Sequence, residues 1–386
     1  MFELAARLHD TVPFYAVELF KQAVAMQATG VDIISLGIGE PDFTAAPQVV
    51  AAMERAAAHG HSGYSSPAGL QALREAIAGY YETHLGARVD ASRIIVTSGA
   101  SGALLLAALS LINPGDEVMM PDPSYPANRN FISAAGGISR LIATTPESRY
   151  QLCAADIDQH WGPATKGVLI ASPSNPTGTS IDHAALSPLL DAVRTRGGFV
   201  MMDEIYLGLT YDQSPRSALA LDDNLIILNS FSKYFHMTGW RLGWMIVPSR
   251  MVAAIEKLAA SLAICAPTLA QHGALACFEP DTLQVFEHRK QAFRQRRDYL
   301  VPALESLGIQ VPVKPDGAFY VFGDVSAHTS DSSNFSTELL HRAHVAAVPG
   351  IDFGTAHASK SMRFAYTTGL NKLEEAVERM RRYLLA

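Results

Sequence analysis

NSFSKYFHMTGWRLGW, residues 229–244, is the stretch on which the reading of this chain turns. It follows one apolar run, Leu225–Asn229, and leads into another, Gly243–Val247. Short runs of consecutive apolar residues are the mark of strands buried on both faces. The loop between them carries Lys233, flanked by Ser230 and Ser232 and by the rings of Phe231, Tyr234, Phe235 and Trp240. The chain has only eight lysines, and one set just beyond a buried strand among aromatic rings is badly placed for solvation. An amine desolvated near other cations is neutral enough to attack carbonyls. Arg241, past the flexible Gly239, is such a cation; a solvated loop lysine is the plain alternative.

Working outward, further strands are predicted at Ile94–Thr97, Glu117–Met120, Ile138–Ala143, Gly167–Ala171 and Phe199–Met202, with amphipathic stretches between them such as Leu104, Leu105, Ala108, Leu109 and Ile112. Strand–helix alternation predicts an α/β fold, a mostly parallel sheet covered by helices. The large domain is placed at 48–280. A smaller α+β domain combines 1–47 with 281–386, where a long helical pattern (280–307) precedes strand-like pieces at Ala318–Phe322 and Met362–Tyr366. A last helix takes Asn371 as its cap, with Glu374 and Glu375 in its first turns and Arg381 and Arg382 near its end, matching the helix dipole.

Composition narrows the function. Of 386 residues 48% are hydrophobic and 17% charged, so a large core is available and wholesale disorder is excluded. A net charge of −7 makes the chain a poor generic partner for nucleic acid or anionic membrane. No apolar run reaches the ~18 residues that span a bilayer; the richest, 103–112, is broken by Ser110. The first ten residues lack the basic-then-apolar pattern of a secretory leader. Cys153, Cys265 and Cys277 are few and far apart, which suits a reducing cytoplasm. The basic stretch His288–Arg297 (Arg289, Lys290, Arg294, Arg296, Arg297) is read as a solvated helix face. The histidine pairs 59/61 and 341/344 lack a third metal ligand in view.

Three other segments follow predicted strands. TSGASGAL (97–104) opens a helix with small residues whose N–H groups, with the Ser101 hydroxyl, can surround a phosphate. MMDEIY (201–206) sets Asp203 and Glu204 at a strand's carboxyl end, where ligands of open α/β sheets bind; a strand-end cap is the alternative. SPSNPTG (172–178) holds Asn175 ahead of Pro176, in what is otherwise an ordinary turn.

Together these motifs, in this order, resemble the class I/II pyridoxal-phosphate (PLP) aminotransferases of fold type I, the aspartate aminotransferase family, from about residue 30 to the C-terminus. The resemblance implies a three-layer large domain and transfer of an amino group from an L-amino acid to a 2-oxo acid, by a ping-pong route through pyridoxamine phosphate. It implies that Lys233 forms the Schiff base with PLP and acts as general base. Asp203 pairs with the pyridine nitrogen, Tyr206 and Asn175 bond the phenolic oxygen, and Tyr125 in PDPSYP stacks on the ring. Gly99, Ala100, Ser101, Ser230 and Arg241 hold the phosphate. Gly39 in GIGEPDF, Asn175 and Arg363 in SMRFAY meet the substrate, Arg363 clamping its α-carboxylate. KPDGAFYVF (314–322) and VPGIDFG (348–354) resemble motifs near the substrate. Tyr64 matches a tyrosine that reaches a neighbouring subunit's phosphate, which implies a homodimer. His236 departs from the family pattern, where a small or aliphatic residue is usual. The same parts serve PLP-dependent C–S β-lyases, and a PLP-sensing regulator is a further alternative. Phe14 and Tyr15 are read as packing residues of the N-terminal segment, with the lining of an aromatic-tolerant pocket as the alternative.

Overall fold

The computed structural model describes residues 3–8, 11 and 14–385. Among these the chain forms twelve strands: β1 (Ile34–Ser35), β2 (Ile94–Thr97), β3 (Glu117–Asp122), β4 (Ile138–Ala143), β5 (Thr165–Ala171), β6 (Phe199–Asp203), β7 (Ile226–Ser230), β8 (Gly243–Ile246), β9 (Tyr320–Asp324), β10 (Val345–Ala346), β11 (Val348–Pro349) and β12 (Ser361–Ala365). Seven of them build one sheet in the order β2-β8-β7-β6-β5-β3-β4. Only β8 runs against its neighbours, β2 and β7; the remaining pairs are parallel.

Strand pleating divides the apolar side chains between two cores. Val168, Ile170, Met202 and Ile227 face one core; Leu169, Met201, Ile226 and Leu228, their neighbours in sequence, face the other. Helices cover both sides. Helix Gly99–Leu111 supplies Ala103, Leu104 and Ala107 to the second core, and helix His183–Thr195 supplies Leu186, Leu189 and Val193 to the first. The result is the expected three-layer α/β arrangement, whose parallel strands end together along one edge.

A second, antiparallel sheet has the order β11-β12-β9, and β1 pairs in parallel with β10, Ile34 opposite Val345. Both chain ends therefore meet in one region. Boundaries shift by a residue or two from expectation: β7 starts at Ile226, β9 at Tyr320 and β12 at Ser361. The last helix starts at Leu370, so Asn371 lies within its first turn and does not cap it.

The basic stretch 288–297 is not a solvated face. It lies on helix Pro280–Glu305, and Lys290, Arg296 and Arg297 point inward. Arg297 is 1% exposed and bonds both Asp212 oxygens at 2.6 and 3.1 Å, Asp298 at 3.0 Å and the Pro315 carbonyl at 3.0 Å. Arg296 grips Asp42 through two 2.8 Å bonds and lies over Phe43. Charge alone does not announce burial: a guanidinium goes inside wherever carboxylates and carbonyls meet its fork. Arg297→Ala is expected to lower the unfolding free energy by about 2–3 kcal/mol in urea denaturation, because its carboxylate partners are half-exposed and can rehydrate. Arg294→Ala, on the exposed side of the same helix, should change it by less than about 0.5 kcal/mol.

Candidate active site

At the carboxyl edge of the sheet the strands β2, β5, β6 and β7 deliver Ala100–Ser101, Asn175, Asp203 and Ser230 to one cavity of about 470 Å³. The loop after β7 adds Lys233 and Arg241, the segment before helix Pro126–Ala134 adds Tyr125, and β9 and β12 add Tyr320 and Arg363.

Lys233 donates from Nζ to the Gly39 carbonyl at 2.6 Å, with Tyr206 and Phe319 rings 5.9 and 5.8 Å away. Burial lowers its pKa from 10.5 to about 8; Glu40 pulls it up, and Arg363 and Arg241 push it down. Asp203 is buried at the end of β6, with Oδ1 accepting the Ile205 N–H at 3.0 Å. Burial raises its pKa to about 6, against the Ile205 bond and the Lys233 charge. Among the described residues no cationic side chain forms an ion pair with it. Its neighbour Glu204 turns away, bonded by Ser217 and the Ala218 N–H, and fastens the loop at 217–220.

Arg363 spends Nη1 on Asn175 Oδ1 (2.9 Å) and Nη2 on the Gly37 carbonyl (2.6 Å), lies over the Tyr320 ring at 4.4 Å, and keeps a buried Nε with no partner. The Arg363 bond fixes the Asn175 amide so that its Nδ2 can donate into the cavity. Tyr206 and Tyr320 hydroxyls meet at 2.8 Å. Gly39 admits no larger residue, because a Cβ would overlap the Tyr320 hydroxyl.

At the other end, Ser230 Oγ reaches Ser232 Oγ at 2.9 Å, and Arg241 donates to the Thr238 carbonyl at 2.9 Å. Gly99 stands behind the helix start, with φ +72 and only 2.7 Å between a would-be Cβ and Arg241 Nη2. That approach requires glycine. Hydroxyls, helix-start N–H groups and a guanidinium converging there form a cradle suited to a phosphate dianion.

The cavity thus gathers Lys233, Asp203, Tyr206, Asn175, Tyr125, Ala100, Ser101, Ser230, Arg241, Gly39 and Arg363. Tyr64 is not among its walls; it stands 81% exposed on the surface. Phe14, read from sequence as a packing residue, lines the cavity with its ring 6.1 Å from that of Tyr125. Sequence reasoning also passed over Tyr320, Ile38, Ser232, Val17, Phe20 and Asp352 as wall residues. Four of them sat inside quoted motifs, Ile38 in GIGEPDF, Ser232 in NSFSKYFHMTGWRLGW, Tyr320 in KPDGAFYVF and Asp352 in VPGIDFG, but nothing in those strings marks which side chain turns inward. His236 lies outside the cavity wall, 2% exposed among Phe43, Phe286 and Phe293, both ring nitrogens without partners. Burial drives its pKa down to about 3, so it packs as a neutral ring. Among the described residues no group of three or more His, Cys, Asp or Glu side chains is placed to hold a metal ion.

The family profile "Aminotransferase class I and II" matches residues 31–380. Over 381 residues the chain is 38% identical to the valine–pyruvate aminotransferase of Mycobacterium tuberculosis, covering 96% of each. It is 33% identical to an aspartate aminotransferase of Geobacillus stearothermophilus, covering 100% of this chain and 99% of that one. An aminotransferase crystal structure from M. tuberculosis superposes with a TM-score of 0.96 at 36% identity, covering all of both chains. The Thermus thermophilus aspartate aminotransferase with maleate superposes with a TM-score of 0.93 at 32% identity, over 99% of this chain and 100% of that one. The chain belongs to the class I and II aminotransferases. It is a transaminase, an enzyme that moves an amino group between an amino acid and a 2-oxo acid.

Two outcomes follow from the charges in the cavity. In the cofactor-free protein, labelling of Lys233 by an amine-reactive sulfonate, followed by peptide mass spectrometry, should rise with pH around a midpoint near 8, because the reactive neutral amine prevails above its pKa. Asp203 has a folded pKa raised to about 6 above its usual 3.8, so its favourable contribution to stability is present below pH 3.8 and lost as pH rises through 6. Asp203→Asn should therefore stabilise the cofactor-free protein by about 1–2 kcal/mol at pH 7 and by almost nothing at pH 4, read by thermal unfolding.

Proposed function

We propose that this cavity binds PLP and that Lys233, Asp203 and Tyr206 are its catalytic residues. The observation that carries the proposal is a desolvated amine and a desolvated, unpaired carboxylate facing one cavity that has a phosphate cradle at one end and a guanidinium with a free N–H at the other. A buried carboxylate without a cationic partner calls for a cation from the ligand, and a pyridinium N–H supplies one. When bound, PLP supplies the electron sink for charge at the substrate Cα and carries the amino group between the two half-reactions.

Lys233 would anchor the cofactor through Nζ and, as a free amine, would take the proton from the substrate Cα and deliver it to the cofactor carbon. Its pKa, lowered by burial to about 8, gives the amine a substantial neutral fraction near pH 8, ready to accept that proton. Asp203 keeps the proton on the pyridine nitrogen. Tyr206 and Asn175 Nδ2 donate to the phenolic oxygen, and Tyr125 stacks on the ring. Ala100, Ser101, Ser230 and Arg241 hold the phosphate, with Gly99 giving Arg241 its room. Arg363 holds the substrate α-carboxylate as a planar fork, beside Asn175 and Gly39. The large domain of this reading is 48–280, and the small domain combines 1–47 and 281–386. Tyr64, exposed beside Ser65, which Gln271 bonds at 3.0 Å, is assigned to the phosphate of a second copy, so that the working unit is a homodimer. Three unpaired cysteines, Cys153 exposed, suit a reducing cytoplasm.

Lys233→Ala should retain the fold and lower transamination by about 10³-fold or more, measured by 2-oxo acid formation with an amino-donor panel. Turnover at the parental rate would overturn the assignment.

A further inference from the structure

The N-terminal helix, Tyr15–Ala28, lacks a cap of its own. Phe14 occupies the capping position in an extended conformation (φ −85°, ψ 109°) and offers no side-chain acceptor. The first N–H groups of a helix need partners, and here they find one 337 residues away. Asp352 Oδ1 accepts the Tyr15 N–H at 2.8 Å, and the same carboxylate bonds the Ala16 N–H.

Asp352 is 1% exposed and sits at the end of the turn Gly350–Asp352, which is fastened to the large sheet. Its own carbonyl accepts from Arg129 at 2.8 Å, the Phe353 carbonyl accepts the Ser124 N–H at 2.9 Å, and Asp122 Oδ2 accepts the Thr355 and Ala356 N–H groups at 2.9 and 3.1 Å. Gly354 packs so close that a Cβ would overlap the Asp122 carboxylate. The helix start is thus held by a rigid point 337 residues away along the chain.

What it holds is a wall of the active cavity. Phe14, Val17 and Phe20 line the cavity together with Ile38, and Ala16 packs on Phe322, Val348 and Phe353. Arg363 and Arg241 are the guanidiniums on the cavity wall among the described residues, and the proposed function commits them to the α-carboxylate and the phosphate. That leaves the substrate side chain no uncommitted guanidinium on the wall, and Phe14, Val17, Phe20 and Ile38 offer it apolar surface.

We propose that Asp352 is a positioning residue: by capping the N-terminal helix from outside, it holds Phe14, Val17 and Phe20 as the wall that selects amino donors with apolar side chains. The inference rests on the cavity being the transamination site. Its test is steady-state kinetics of the PLP-loaded enzyme with leucine, alanine and aspartate as donors. The parent enzyme should have a higher kcat/KM for leucine than for aspartate. Asp352→Ala should raise KM for leucine about tenfold, the effect of a lost helix cap, and KM for alanine less than about twofold, with kcat within about threefold. Asp352→Asn should restore the parental KM, because its amide oxygen still accepts the Tyr15 N–H.

Should Asp352→Ala fail to fold, Tyr15→Pro decides. It deletes one donated N–H at a first helical position where proline fits, after a residue already extended. It should raise KM for leucine severalfold over Tyr15→Ala, which keeps the N–H. Equal KM changes for leucine and alanine, no change for either, failure of Asp352→Asn to rescue, or a preference for aspartate would each overturn the inference. These outcomes leave the cofactor assignment standing as long as Lys233→Ala is inactive; an active Lys233→Ala removes the premise instead.

Discussion

Lys233 and Asp203 share a cavity, are both held out of water, and are not bonded to one another. That constraint is costly for a protein, because each charge forfeits hydration and gains only a backbone hydrogen bond, not a counter-ion. Everything around the site serves to sustain it. The sheet places the carboxylate at the end of β6, between two cores that leave the strand no freedom to turn it toward solvent. The loop after β7 is pinned by Ser230 and Ser232, and the amine leans on the Gly39 carbonyl from the opposite chain end. A pair of opposite charges left free to collapse together would neutralise each other and lose their use. Their separation keeps the amine reactive and leaves the carboxylate waiting for a cation from the ligand.

The legible part of the molecule is the part in which local pattern and tertiary fate coincide. Strands β5 to β7 are apolar on consecutive residues because both faces are buried, and that is visible in the string itself. Lys233 stood out because lysine is scarce and its neighbours are aromatic. The turn at Gly99 was visible as a run of small residues after a strand. The family resemblance then attached roles to residues that composition left open, such as Arg363.

Illegible features arise where burial is decided by partners far along the chain. Arg296 and Arg297 look like surface charges until Asp42 and Asp212 fold against them. Phe14 looks like packing until the Tyr125 ring and the cavity appear beside it. Asn371 has the chemistry of a cap, yet the helix begins one residue before it. Asp352 is an acid in a Pro-Gly motif, with no local sign that it completes a helix at the other end of the chain.

The pairing of β1 with β10 and the hold of Asp352 on Tyr15 have a consequence for the order in which the enzyme comes into being. Residues 14–38 leave the ribosome roughly 300 residues ahead of their partners, Val345–Ala346 and Asp352. At about 5–20 residues per second, this segment waits for tens of seconds while the sheet that carries Lys233 and Asp203 is already assembling. The site is thus finished from the inside out, with the wall that faces the substrate closed last.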